Sequence, residues 1–166
     1  AVGYHRAGFE VVGVDTSRGR IKRYPFGAYA EDALSFLLDH GHEYDAIHAS
    51  PTCTGYSAGT RAIPNRVSKY DRLIGAVREA LLITGRPYII ENVEGAKREL
   101  ITPALLCGRM FGLSAIDDDG TPLVMDRHRL FETNWPLMLP EHLTHESRVQ
   151  VAGSYGGARR DKHEAR

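Results

Sequence analysis

The stretch Asp45-Ala46-Ile47-His48-Ala49-Ser50-Pro51-Thr52-Cys53-Thr54-Gly55-Tyr56-Ser57 runs from a short apolar segment into a turn-rich break that carries a thiol. A cysteine on a turn after a strand is within reach of a substrate, whereas a structural cysteine is normally buried inside an element. Such a thiol becomes a nucleophile at neutral pH when a base or a positive environment favours the thiolate. A second apolar run ends in a similar way at Tyr88-Ile89-Ile90-Glu91-Asn92-Val93. Burial of Glu91 there would favour its protonated form and make it a proton donor. Arg127 and Arg129, two apart on an extended segment, point to one side and suit an anion or a carbonyl. Asp15 ends a β-rich run, where a carboxylate can accept hydrogen bonds from ribose hydroxyls. Asp15-Thr16-Ser17 equally suits a helix cap, and Asp32 suits the first turn of a helix. Taken singly, each of these residues is more simply structural; their joint occurrence in this order points to a site.

The elements that must position them alternate between strand and helix. Ala1 to Ala7 reads as the tail of a helix ending at Gly8. Phe9 to Asp15 reads as a strand, Glu31 to Asp39 as a helix stopped by Gly41, and Tyr44 to Ala49 as a strand. Tyr70 to Ile83 is an amphipathic helix with Leu73, Ile74, Val77, Leu81 and Leu82 on one side. It leads through Gly85-Arg86-Pro87 into the strand Tyr88 to Ile90. This alternation predicts an α/β fold of βαβ units with a mainly parallel sheet. Cys53 and Glu91 are then expected at the carboxyl ends of adjacent strands. Beyond Ala96 the pattern changes: Asp117-Asp118-Asp119-Gly120 signals a hairpin, and Arg127 to Glu132 reads as extended.

The chain has 166 residues, 42% hydrophobic and 25% charged, which fits one ordinary globular domain. Its formal net charge is zero, so no overall attraction to polyanions is indicated. Basic residues do cluster at Arg18 to Arg23 and from Arg148 to Arg166, but short charge runs are commonly solvated faces. Cys53 and Cys107 fall in no CxxC or Cys/His pattern, so neither a disulfide framework nor a metal site is expected. Free thiols suit a reducing cytosol, and no run of 18 apolar residues suggests a membrane span. An opening on Ala-Val-Gly-Tyr without Met suggests a fragment.

Cys53 with Ser57, then Glu91-Asn92-Val93, then Arg127-x-Arg129, together resemble the DNA (cytosine-5)-methyltransferases, particularly short phage-type members. The resemblance runs from Gly3 to about Glu132. The segment Gly3-Tyr4-x-x-Ala7-Gly8-Phe9-Glu10-Val11-Val12-Gly13-Val14-Asp15 is similar to the one that follows the family's glycine-rich cofactor loop. It departs from the family at Thr52 and Thr54, where Pro and Gln usually flank the cysteine, and at Met125, where Gln is common.

The resemblance implies a three-layer, Rossmann-like class I methyltransferase fold, truncated at both ends, with residues 148–166 as the possible start of a target-recognition region. It implies that Cys53 adds to carbon 6 of a flipped-out cytosine in DNA, since that carbon cannot be reached inside a stacked duplex. Glu91 would bind the pyrimidine edge and share a proton with the ring nitrogen. Arg129 would hold the base carbonyl, Arg127 would support it, and Asn92 would orient the cysteine loop. The methyl donor is expected to be S-adenosylmethionine, held by Gly3, Asp15, Asp32, Ser50 and Pro51. Asp15 would take the ribose and Asp32 the adenine amine. A monomer in the cytoplasm of a bacterial or phage-infected cell is the expected setting. The same Cys and Glu would also serve a hydroxymethylase using methylenetetrahydrofolate, or persist in a DNA-binding homologue without turnover.

Overall fold

The structure is a computed structural model that describes residues 1–56, 72–116, 120–142 and 145. The chain divides into two compact units that interleave in sequence, Ala1–Ile47 with Gly75–Tyr88, and His48–Ile74 with Ile89–Arg166.

In the first unit, helix α1 (Val2–Arg6) ends where expected. Gly8 adopts φ +94 and donates to the carbonyl of His5, while Phe9 donates to that of Tyr4. The rings of Tyr4 and Phe9 close this turn edge to face at 5.9 Å, as in a Schellman motif. Strand β1 (Val12–Val14) is shorter than the predicted Phe9–Asp15 run. It pairs in parallel with β2 (Gly27–Tyr29) across α2 (Arg18–Ile21), a minimal βαβ unit. Gly13 is required because a β-carbon there would lie 2.7 Å from the Tyr24 ring. Helix α3 (Ala33–His40) is capped by Asp32, and Phe36 buries itself among Tyr29, His40 and Tyr44. Gly41 follows α3, but its backbone stays right-handed at φ −57. The reason for glycine is close approach: a β-carbon would meet Thr84 at 2.6 Å. Helix α4 (Ile74–Thr84) starts later than the predicted Tyr70, which lies outside the described residues. Val77, Ala80 and Leu81 are buried, but Leu82, assigned to the same side from the sequence, is 57% exposed. One residue is about 100° around a helix, which takes Leu82 off the stripe set by Val77 and Leu81.

The second unit is organised by a mixed four-stranded sheet in the order β3-β4-β8-β5, whose strands are β3 (Ile47–Ala49), β4 (Tyr88–Asn92), β5 (Ala104–Cys107) and β8 (His128–Thr133). The first residues of β3 and β4 belong to the first unit. Strand β8 runs antiparallel to both β4 and β5. The expected hairpin is present as β6 (Ser114–Ile116) against β7 (Pro122–Val124), with Asp117–Asp119 outside the described residues. The fold is therefore mixed α/β, and among the described residues the sheet is not mainly parallel. The difference arises after Ala96, where a chain with no long helix between strands returns β8 by reversal rather than by a helical crossover. Ile90, Leu100, Cys107 and Leu130 form the core of this unit with Ile74 and Tyr56. The buried Glu132 accepts the backbone N–H of Ile101 at 2.7 Å. Among the described residues no helix is long and apolar enough to cross a membrane.

Candidate active site

Strands β3 and β4 are neighbours, and the loop leaving Ala49 meets the end of β4. The loop is tied to β4 twice. Ser50 donates its hydroxyl to Glu91 Oε2 at 3.2 Å, and Asn92 donates from Nδ2 to the carbonyl of Pro51 at 3.0 Å. Asn92 is almost fully buried and also accepts the N–H of Val93 through Oδ1. Across the sheet, Arg129 Nε lies 2.9 Å from Glu91 Oε1. The guanidinium is steadied in turn by a 2.7 Å bond from Nη1 to the carbonyl of His128.

Glu91 is not the buried acid expected from its apolar strand. It lies within β4, its side chain is 27% exposed, and it is ion-paired. The apolar residues beside it in sequence alternate across the pleat, so they do not enclose it. Cys53 is half-buried and reduced. The turn around it is closed by Tyr56 N–H donating to the Cys53 carbonyl at 3.0 Å. Thr52 lacks the ring constraint of a proline, but its hydroxyl is 3.0 Å from that of Thr54 and accepts the Thr54 N–H at 3.4 Å. This side-chain turn supplies a local restraint of another kind. Ser57 lies outside the described residues.

Three residues missed by sequence reasoning hold the far side of the loop. Buried Tyr56 donates its hydroxyl to Glu99 at 3.0 Å, and Arg72 pairs with the same carboxylate at 2.9 Å. Arg72 also lies over the Tyr56 ring, 5.6 Å from its centre. Burial and the Glu99 contact push the Tyr56 phenol up to about 12. Cys53 is thus bracketed by an anchor at Pro51 and another at Tyr56. No local sequence signal links Tyr56 to Glu99, 43 positions away.

The remaining candidates are placed as follows. Arg127 is exposed and stands just before β8 rather than in it, so the two-residue alternation that would align it with Arg129 does not extend to it. Asp15 follows β1; Oδ1 accepts the Ser17 N–H at 2.7 Å and Oδ2 lies 3.2 Å from Arg20 Nε. The cap of α2 is Ser17 itself. Asp32 caps α3 through the Ser35 N–H at 3.0 Å, which holds its carboxyl below the usual range despite slight opposing desolvation. Gly3 is an exposed residue of α1 with open space beside it. An open depression of about 490 Å³ is lined by His5, Phe9, Val12 and Phe26, towards the start of β1 and away from Asp15.

A second constellation gives the buried Cys107 histidine neighbours, although the sequence shows no Cys/His pattern around it. Cys107, His128, His142 and His145 bring one ligand-type atom each to within 4.8 Å of one another. The four are spread over 38 positions, and only the pair His142-x-x-His145 is a short-range signal. No family model, characterised protein or solved structure matches the chain.

Proposed function

We propose that this chain carries the catalytic strands of a DNA cytosine-5 methyltransferase. The observation that carries the reading is the double tie between the Cys53 loop and β4, Ser50 to Glu91 and Asn92 to Pro51, with Arg129 paired to the same Glu91. A nucleophile on a loop tied to β4, a carboxylate on β4 and a guanidinium on β8 suit covalent activation of a pyrimidine. We read β1-α2-β2 as the βαβ start of a three-layer, Rossmann-like class I methyltransferase fold.

In this reading the Cys53 thiolate adds to carbon 6 of an extruded cytosine, and the electrons of the carbon 5–carbon 6 double bond move into the ring. Glu91 meets the pyrimidine edge in place of the Ser50 hydroxyl and shares a proton with the ring nitrogen, so that charge does not build up there. Arg129 holds Glu91 on one side and offers its remaining N–H groups to the base carbonyl. Asn92 keeps the loop seated on β4 while the base enters. S-adenosylmethionine, when bound, would supply an electrophilic methyl group to carbon 5 and leave as the thioether. Loss of the carbon 5 proton to solvent and cleavage of the Cys53–carbon 6 bond then restore the double bond and the thiolate. Asp15 fits that donor's ribose, because each carboxylate oxygen has one contact named above and about four lone-pair positions serve the pair. Asp32 fits less well, since Oδ1 already serves Ser35.

The test is covalent capture. DNA containing 5-fluorocytosine, with S-adenosylmethionine, should form a denaturation-resistant adduct that Cys53→Ser abolishes. Cys107→Ser should leave it in place if that variant folds. An adduct that survives Cys53→Ser removes the mechanism. Transfer of label from methylenetetrahydrofolate instead of the adenosyl donor would assign hydroxymethylation.

A further inference from the structure

The register of β5 against β8 sets Cys107 opposite His128, so two neighbouring strands deliver a thiol and an imidazole to one place. The segment that follows Pro140 brings His142 and His145 to the same spot. Cys107 Sγ lies 3.3 Å from His145 Nε2, and His128 Nε2 lies 3.1 Å from His142 Nε2. The three ring centres are 4.8 to 5.1 Å apart. We propose that Cys107, His128, His142 and His145 form a closed, structural zinc site.

The orientation of the rings is the first argument. His128 turns Nδ1 toward Glu94 at 3.4 Å, and His145 turns Nδ1 toward Asp126 at 3.4 Å. A proton held on Nδ1 by a carboxylate leaves the Nε2 lone pair facing inward, the usual outer arrangement of zinc-bound histidine. Asp126 is 5% exposed and is gripped by two of the three guanidinium nitrogens of Arg109, Nε on Oδ1 and Nη2 on Oδ2. The carboxylate behind His145 is therefore itself held in place.

The donor set is the second argument. One thiolate and three imidazoles complete a tetrahedron and suit zinc. Cys107 is 2% exposed, and zinc binds a cysteine as its thiolate. Tetrahedral zinc sets its ligand atoms about 3.5 Å apart. The two short contacts match that edge, and binding would draw in the widest separation of 4.8 Å. Four protein ligands leave no open position for substrate, so the ion would clamp residues 142 and 145 to the ends of β5 and β8.

The purified chain should carry one zinc per molecule by mass spectrometry of the metal. Replacement by cobalt should give intense tetrahedral visible bands and a thiolate-to-cobalt charge-transfer band. Cys107→Ser should remove the charge-transfer band. His142→Ala changes an exposed side chain and so tests the site without disturbing the core; it should lower metal affinity more than tenfold. Glu94→Gln should weaken binding by about tenfold through His128. Cys53→Ser should change nothing in these spectra. Absence of stoichiometric metal, an octahedral cobalt spectrum, or a charge-transfer band lost with Cys53 and not Cys107 would overturn the assignment.

Discussion

Asn92 Nδ2 lies 3.0 Å from the carbonyl oxygen of Pro51, joining the buried end of β4 to the loop that presents Cys53. The residue works in both directions, since its Oδ1 takes the Val93 N–H. Asn92→Ala would strip a donor from one backbone group and an acceptor from another in a buried place. We expect a loss of about 1–3 kcal/mol, measured as a shift of the urea midpoint at constant slope. Unchanged stability would mean that the loop does not depend on this bond.

Arg129 should matter more to chemistry than to folding. Its pair with Glu91 is partly exposed on both sides, so Arg129→Ala should cost only about 1 kcal/mol of stability. If it steadies charge on a bound pyrimidine, methyl transfer should fall by about 10²-fold or more. Arg129→Lys should recover little, because an ammonium cannot span Glu91 and a base carbonyl as the planar fork does. The check is single-turnover transfer alongside thermal unfolding.

The two acids of the first unit should separate. On the proposed function, Asp15→Ala should weaken adenosyl-donor binding by roughly 1.5–3 kcal/mol in calorimetry. Asp32→Ala should chiefly lower stability, by about 1 kcal/mol, through loss of the α3 cap. The Asp32 carboxyl is depressed in the fold, mainly by the Ser35 N–H. Its contribution is therefore present above the ordinary aspartate value of 3.8 and lost as pH falls through the lower folded value. Wild type and Asp32→Ala should converge in stability under strongly acidic conditions and diverge at neutral pH.

Tyr56 has the opposite sign. Its phenol is raised to about 12 from 10.0, by burial first and by Glu99 second. A group raised in the fold contributes fully below its unfolded value, so its contribution should be lost between pH 10.0 and about 12. The phenolate absorbance lost on Tyr56→Phe should titrate near the upper value. A difference spectrum titrating near 10.0 would show that Tyr56 is not held as described.

Elements α2 and β2, of four and three residues, are too short to show a hydrophobic period. The alternation of apolar runs was enough to place α1, α3, α4 and the strands β1, β3 and β4, because that period is a local property. Gly8 was legible for the same reason, as a left-handed residue just past a helix. The antiparallel return of β8 was not, since strand order depends on pairings between residues such as Asn92 and Leu130, 38 apart. The candidate site shows the same division. Cys53, Glu91 and Arg129 were conspicuous by residue type, but the bonds of Tyr56 to Glu99 and of Cys107 to His145 join distant positions. Glu91 was misjudged because apolar neighbours in a strand alternate across the sheet and need not surround it.

The place of β8 between β4 and β5 also fixes an order of events during synthesis. Both flanking strands leave the ribosome well before residue 133, yet they cannot pair with each other at the spacing they hold in the finished sheet. Their facing edges stay open until β8 arrives, and open edges invite pairing with other chains. Arg129 reaches Glu91 in the same step that closes this gap. A nascent chain arrested before β8 would thus lack the Arg129–Glu91 pair and be prone to aggregate.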